Sequence, residues 1–339
     1  MKRLFLFNPS HEMALAANAA RYTPTKHVQR METDLAMLPS LWADDGDLIL
    51  TPDGICDCHG HSARLDNTAV PMPWGWNRSV RNRFVSLGVD KGLMPTEEEL
   101  DEWRLFASRK WSAEYNMKLY LRLGSMSWLV GNQLDFCCDC ASLSAWLSAH
   151  PNLPFIIKSE YSSSGRGNRV VRDAGQVTSL KGNRVAADHY YDKVLDFAME
   201  FEVADDGVRY LGLSVFRTSD EGKYLGNCVA SQQDLSAMVL ECMPACWADA
   251  LPMLAEAHKA LLAELLQGHY RGMVGIDMMV TDGGLLHPCV EINLRMNMGI
   301  VAMMLHERGL TEIPPTFFSS TQFCPEISDN CFRIAVRRW

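Results

Sequence analysis

Asp277, Glu291 and Asn293 offer two carboxylates and an amide that one divalent cation could share. Residues 273–280 and 285–292 are short apolar runs separated by the turn-prone Thr281-Asp282-Gly283-Gly284, which predicts a hairpin. Glu291 and Asn293, two apart, fall on one face of their strand. Hard oxygen ligands of this kind suit magnesium, which keeps several waters and takes one or two carboxylates together with substrate phosphates. A solvated acidic hairpin is the plainer reading of the same residues. A second chemical signal is Lys158, at the end of an apolar run over 154–158 that passes into a Ser/Gly-rich turn containing Ser163, Ser164, Gly165 and Gly167. Backbone N–H groups of such a turn can fold over phosphates while the lysine supplies a point charge. The Walker A order of glycines, lysine and serine is absent, so this is no P-loop.

These groups need a scaffold, and the chain supplies an α/β one. Over the first hundred residues, strand-like runs at 3–7 and 47–51 enclose helical patterns at 12–20 and 33–38, which predicts a parallel βα layer. Asn8-Pro9-Ser10-His11-Glu12 follows the first strand directly, and open α/β sheets bind ligands at the carboxyl ends of their strands. Asn8, His11 and Glu12 are therefore candidate substrate contacts, with Ser10 expected as an N-cap. Thr96-Glu97-Glu98-Glu99 is a capping box that opens a new unit. Helices are expected over 110–121, 143–149 and 252–267, the last with Leu254, Leu261, Leu262 and Leu265 on one face. A strand over 197–203 alternates Glu200 and Glu202, and residues 331–339 read as a final strand.

Composition narrows the function classes. The 339 residues exceed one comfortable core, and a net charge of −9 argues against a dedicated nucleic-acid binder. The apolar N-terminal run ends at Asn8-Pro9, too early for a signal sequence, and no stretch approaches the length of a membrane span. Eleven cysteines, an odd number scattered through apolar segments, fit reduced thiols in a cytoplasm. Cys56-Asp57-Cys58-His59-Gly60-His61 holds four metal-ligand side chains but lacks the separated pairs of structural zinc sites. Adjacent Cys58 and His59 are poorly placed to reach one tetrahedral ion, so an unliganded loop is expected.

Lys158, the Ser/Gly turn, Gly275-Ile276-Asp277 and Glu291-x-Asn293-x-Arg295, in this order and spacing over roughly residues 105–310, resemble the ATP-grasp superfamily. The resemblance implies ATP clasped between two α+β subdomains, preceded by an N-terminal parallel βα layer of the pre-ATP-grasp kind. The implied domains are 1–104, 105–190 with the Gly-rich lid, and 191–339 with the metal site. It implies that Lys158 and Lys110 contact phosphates, with Arg109 competing for the second role, and that Ser163, Ser164, Gly165 and Gly167 form the lid. Asp277, Glu291 and Asn293 match the family's ligands for Mg2+, with Mn2+ an alternative. Arg295 matches a position facing the transferred phosphate or the acceptor. Asp188, Tyr190, Tyr191 and Asp196 match the adenine and ribose contacts, although aspartate stands where glutamate is common and Glu200 and Glu202 compete for the ribose. The implied activity is ligation of a small-molecule carboxylate to an amine or thiol through an acyl phosphate. A phosphotransferase or a non-catalytic nucleotide binder is the alternative; a homodimer is compatible, and neither nucleic acid nor membrane is expected as a partner.

Overall fold

The computed structural model describes residues 2–151, 154–162, 167–172, 184–219, 222–309, 316–323 and 332–338, the last two segments as strand backbone only. In chain order the elements begin with β1 (Arg3–Leu6), α1 (His11–Ala17), α2 (Lys26–Asp34), β2 (Leu48–Thr51), β3 (Gly54–Asp57), β4 (Val70–Pro73), α3 (Arg78–Leu87) and α4 (Glu97–Phe106). They continue with α5 (Arg109–Leu123), β5 (Asp135–Cys137), α6 (Cys140–Ala149), β6 (Phe155–Ser159), β7 (Arg169–Val171), β8 (Val185–His189), β9 (Lys193–Ala204) and β10 (Gly207–Thr218). The chain closes with β11 (Tyr224–Val229), α7 (Gln232–Glu241), α8 (Ala250–Leu266), β12 (Gly272–Thr281), β13 (Leu286–Asn293), α9 (Met298–Glu307), β14 (Thr316–Phe323) and β15 (Phe332–Arg338). Two compact units result: residues 1–104, 225–231 and 295–339 form the first, and residues 105–224 and 232–294 the second.

In the first unit β2, β1 and β4 run parallel, and β3 adds antiparallel to β2. Residues 4–6 of β1 and 48–50 of β2 are apolar without interruption because both faces of the strands are covered. Phe5, Phe7 and Ile49 pack on one face with Leu38, Trp42, Trp74, Val301 and Leu305. Leu4, Leu6, Leu48 and Leu50 pack on the other with Val80, Phe84 and Met94. The expected parallel layer is thus present, but the helix expected over 33–38 lies earlier, at Lys26–Asp34. The capping box holds: Thr96 N–H donates to Glu99 Oε2 at 2.7 Å, and Glu99 N–H to Thr96 Oγ1 at 3.1 Å. β11 and β15 flank β14, both antiparallel.

In the second unit one antiparallel sheet has the order β5-β8-β6-β7, and a second runs β13-β12-β9-β10. Met199, Phe201, Ile276 and Met278 are buried on one face of the second sheet. Helix α8 begins two residues before the expected start and carries Leu254, Leu261 and Leu262 into the core. Its His258 is fully buried; Tyr115 O–H on α5 bonds its Nδ1 at 2.8 Å, and its Nε2 bonds Pro288 O on β13 at 3.1 Å. Between Asp277/Glu291 and Met279/His287, two residue steps on β12 oppose four on β13, a bulge that accommodates Pro288 on this edge strand.

Candidate active site

The predicted hairpin is β12–β13, and its register sets the site. Asp277 stands opposite Glu291, and Gly275 opposite Asn293. On the other side of β12, Gly275 stands opposite Glu200 and Asp277 opposite Ala198. Side chains opposite or two apart on paired strands share a face, so Glu200, Ala198, Asp277, Glu291 and Asn293 line one surface of the sheet. Gly275, without a side chain, stands between Glu200 and Asn293 in the register. Ser214 Oγ on β10 donates to Glu200 Oε1 at 2.8 Å.

Strand β6 brings Lys158 to this surface. Phe155 and Ile157 pack into the core with Trp146 and Leu143, so the alternating Lys158 faces the opposite way. Its Nζ donates to Val290 O at 3.4 Å, and the side chain is buried. Burial, then the neighbouring Arg109, lowers the Lys158 pKa, against the opposing pull of Asp188, Glu291 and Asp277.

Arg109 opens α5, after Ser108, whose hydroxyl caps the helix by accepting from Trp111 N–H at 3.2 Å. The Arg109 Nη2 pairs with Glu291 Oε1 at 2.6 Å and donates to Ser162 Oγ at 3.3 Å. The Arg109 Nη1 is buried and has no hydrogen-bond partner among the described residues. Lys110 does not reach the cluster: consecutive helical residues diverge by about 100°, and Lys110 is half exposed, 3.7 Å from Glu114. Of these two adjacent cations, the fold therefore brings Arg109 to Glu291.

The sequence-predicted nucleotide contacts are dispersed. Asp188 is buried on β8, and its Oδ2 meets His287 Nε2 at 2.9 Å. Cys289 N–H donates to the other ring nitrogen of His287 at 3.4 Å. Asp188 thus belongs with Lys158. Tyr190 lies under the Arg172 guanidinium, 5.2 Å from the ring centre. Tyr191 O–H donates to Gly131 O at 3.2 Å, and the ring lines a cavity of about 570 Å³ with His189, Val130 and Leu285. The Asp196 carboxylate takes Thr218 O–H at 2.8 Å and an ion pair from Lys193. Asp196, Glu200 and Glu202, the three acids competing for the ribose, all share the face of Asp277, and Glu202 pairs with Arg209 at 3.0 Å. Ser163, Ser164 and Gly165 lie outside the described residues. Gly167 has φ +81°, and a Cβ there would stand 2.7 Å from Ser159 Oγ, so the turn requires glycine.

Asn8, His11 and Glu12 gather with Arg295 in the first unit. The Asn8 amide binds the Gly75 peptide through both its groups, at 2.9 and 3.3 Å. His11 is buried beside Gly75 and Asn77, and burial lowers its pKa to about 4, leaving a neutral ring. Ser10 does not cap α1; its hydroxyl donates to Glu32 at 2.6 Å. Glu12 forms an ion pair with Arg295. Burial alone would raise the Glu12 carboxyl, but Arg295 and then His11 hold it below its ordinary value.

Among the described residues, Asp277, Glu291 and Asn293 are the candidate metal ligands on this face. The donor set is all oxygen, which fits magnesium or manganese rather than a thiophilic metal.

No family model matches the sequence, and no curated protein matches it. Solved structures similar to the chain include ATP-grasp proteins. A putative ATP-grasp superfamily protein from Archaeoglobus fulgidus is 12% identical, with each chain fully covered and a TM-score of 0.48. A biotin carboxylase–β-γ-ATP complex from Campylobacter jejuni is 13% identical over 96% of this chain and 77% of that one, at 0.47. N5-carboxyaminoimidazole synthetase from Staphylococcus aureus, complexed with ADP, is 12% identical over 64% of this chain, at 0.43. The chain spans 57% of the length of that last protein.

Proposed function

We propose that the chain is an ATP- and magnesium-dependent ligase that activates a carboxylate as an acyl phosphate for attack by an amine or thiol. The observation that carries this reading is the convergence of Lys158 and the half-satisfied Arg109 on the sheet face that bears Asp277, Glu291 and Asn293. Asp277, Glu291 and Asn293 would hold magnesium, and Lys158 would neutralise the α- and β-phosphates. Arg109, whose Nη1 has a hydrogen bond to give, would take a phosphate oxygen in the role that Lys110 could not fill. Residues 163–167 would close over the phosphates, and the backbone of 188–191 would border the adenine. Glu200 replaces Asp196 as our preferred ribose contact because it and Asn293 flank Gly275, two residues from Asp277.

Phosphoryl transfer of this kind depends on positioning and electrostatics and requires no protein nucleophile. A carboxylate oxygen of the acceptor forms the new bond to phosphorus as the bond to ADP breaks. The amine or thiol then attacks the acyl carbon and expels phosphate. Arg295, oriented by Glu12, would stabilise the charge on the acyl phosphate. Asn8 and His11 would support this site through Gly75, since their own polar groups are engaged. The free thiols among the described cysteines fit a cytoplasmic enzyme.

A metabolite screen for ADP and phosphate release, run beside the Glu291→Gln protein, tests the proposal. Release by the wild type with a ligated product, and its loss in the variant, is expected. Equal release by both would remove the metal assignment, and a phosphorylated product without ligation would make the protein a phosphotransferase.

A further inference from the structure

The Cys56–His61 segment, expected from its sequence to be an unliganded loop, folds into a tight turn. Its turn is organised by Asp57, whose Oδ1 accepts both His59 N–H and His61 N–H at 2.9 Å. Gly60 N–H closes on Asp57 O at 3.1 Å with Gly60 at φ +85°, and Cys56 bridges Ser62. The tight turn points the neighbouring Cys58 and His59 side chains toward each other. Asp45, from the loop that precedes β2, completes the cluster. The Cys58 sulfur, a His59 ring nitrogen and an Asp45 carboxylate oxygen all lie within 4.8 Å of one another.

The surrounding charges single out Asp45. Its neighbours Asp44 and Asp47 are both engaged by Arg3, and Asp44 also by Arg308. The Asp45 side chain is 96% exposed, and its one ion-pair partner among the described residues is His59, at 3.5 Å from Nε2 to Oδ1. Metal–ligand bonds of about 2.0–2.3 Å at tetrahedral angles put ligand atoms roughly 3.3–3.8 Å apart. The His59–Asp45 separation already falls in that range, and the sulfur lies within 4.8 Å of both. Adjacent residues fail to share an ion when the backbone is extended; the Asp57-centred turn removes that obstacle.

We propose that Asp45, Cys58 and His59 form a binding site for a zinc-class divalent cation, clipping the loop before β2 to the turn after β3. A thiol, an imidazole and one carboxylate suit zinc and disfavour magnesium, whose ligands are hard oxygens. Three protein ligands leave the fourth position to water. None of these residues serves the proposed ligase chemistry, so this site stands or falls independently of it.

The experiment is a titration of the full chain with zinc against a chromogenic chelator, in excess magnesium and under reducing conditions, with cobalt as a spectroscopic substitute. The wild type is expected to bind one equivalent and to show thiolate-to-cobalt absorption. Cys58→Ser, His59→Ala and Asp45→Asn are each expected to weaken binding at least about tenfold, with the cobalt band lost in Cys58→Ser. Asp45 is so exposed that Asp45→Asn tests the site without disturbing the core, should Cys58→Ser fold poorly. A Cys138→Ser/Cys140→Ser protein, altered at two exposed thiols, should bind as the wild type does. The proposal is overturned if the wild type binds no zinc, if Asp45→Asn and His59→Ala bind as tightly as it does, or if binding follows Cys138 and Cys140.

Discussion

Replacing Arg109 and Lys110 separately by alanine distinguishes two adjacent cations that the sequence leaves in competition. The Arg109 side chain is 6% exposed and its partner Glu291 25% exposed, whereas Lys110 and Glu114 are each 52% exposed. A hydrogen bond to a charged group contributes about 1.5–3 kcal/mol, so loss of the Arg109 contact should weaken Mg-ATP binding roughly ten- to hundredfold. The same change strands Glu291 beside Asp277 and should lower stability, by less than the roughly 3–5 kcal/mol typical of fully buried pairs because Glu291 keeps some solvent. Lys110→Ala removes an i,i+4 surface pair worth about 0.3–0.5 kcal/mol and should leave Mg-ATP affinity within about twofold. Calorimetric titration with Mg-ATP, beside urea melts of each protein, measures both effects. A Lys110→Ala protein that loses nucleotide binding while Arg109→Ala keeps it would refute the reasoning.

Three further outcomes are expected. His11 and His258 are buried, with pKa values lowered to about 4 and about 3, so each unfolded ring binds a proton at a pH where the folded one does not. Their contribution is full above about pH 6.5 and is lost as pH falls toward 4, on the order of 3 kcal/mol for His11; urea melts at pH 7.5 and 4.5 should diverge more for the wild type than for His11→Asn. Gly75→Ala would set a Cβ 2.5 Å from the His11 ring and should cost roughly 1–3 kcal/mol; an unchanged melting midpoint would contradict the packing described. Glu12→Gln leaves the Arg295 charge without its carboxylate and should lower stability by about 1–3 kcal/mol, partly restored in Glu12→Gln/Arg295→Gln; additive losses in the double variant would show that the two do not interact.

What the sequence made legible was local. The β12–β13 hairpin follows from two apolar runs around a four-residue turn, and Lys158 from the end of an apolar strand, because period and punctuation are written in consecutive residues. The choice between Arg109 and Lys110 depends on how α5 is rotated, which is fixed by Tyr115 meeting His258 far along the chain. Asp188 read as a hinge acid because nothing near it in sequence announces His287, its partner across two sheets. Glu200 gains its place from the register that sets it opposite Gly275. Cys58 and His59 are adjacent in sequence, and the turn that brings them toward Asp45 depends on Asp57 accepting two backbone N–H groups. The helix expected over 33–38 lies at Lys26–Asp34, and residues 38–41 instead form a 3-10 turn with Pro39 in its first positions.

The most direct test of the central claim is a crystal structure with Mn2+ and a non-hydrolysable ATP analogue, read from the anomalous signal of manganese. A peak bound by Asp277, Glu291 and Asn293 is expected, with phosphate oxygens within hydrogen-bond distance of Lys158 Nζ and Arg109 Nη1. Manganese elsewhere, or phosphates that engage Lys110 and not Arg109, would contradict it.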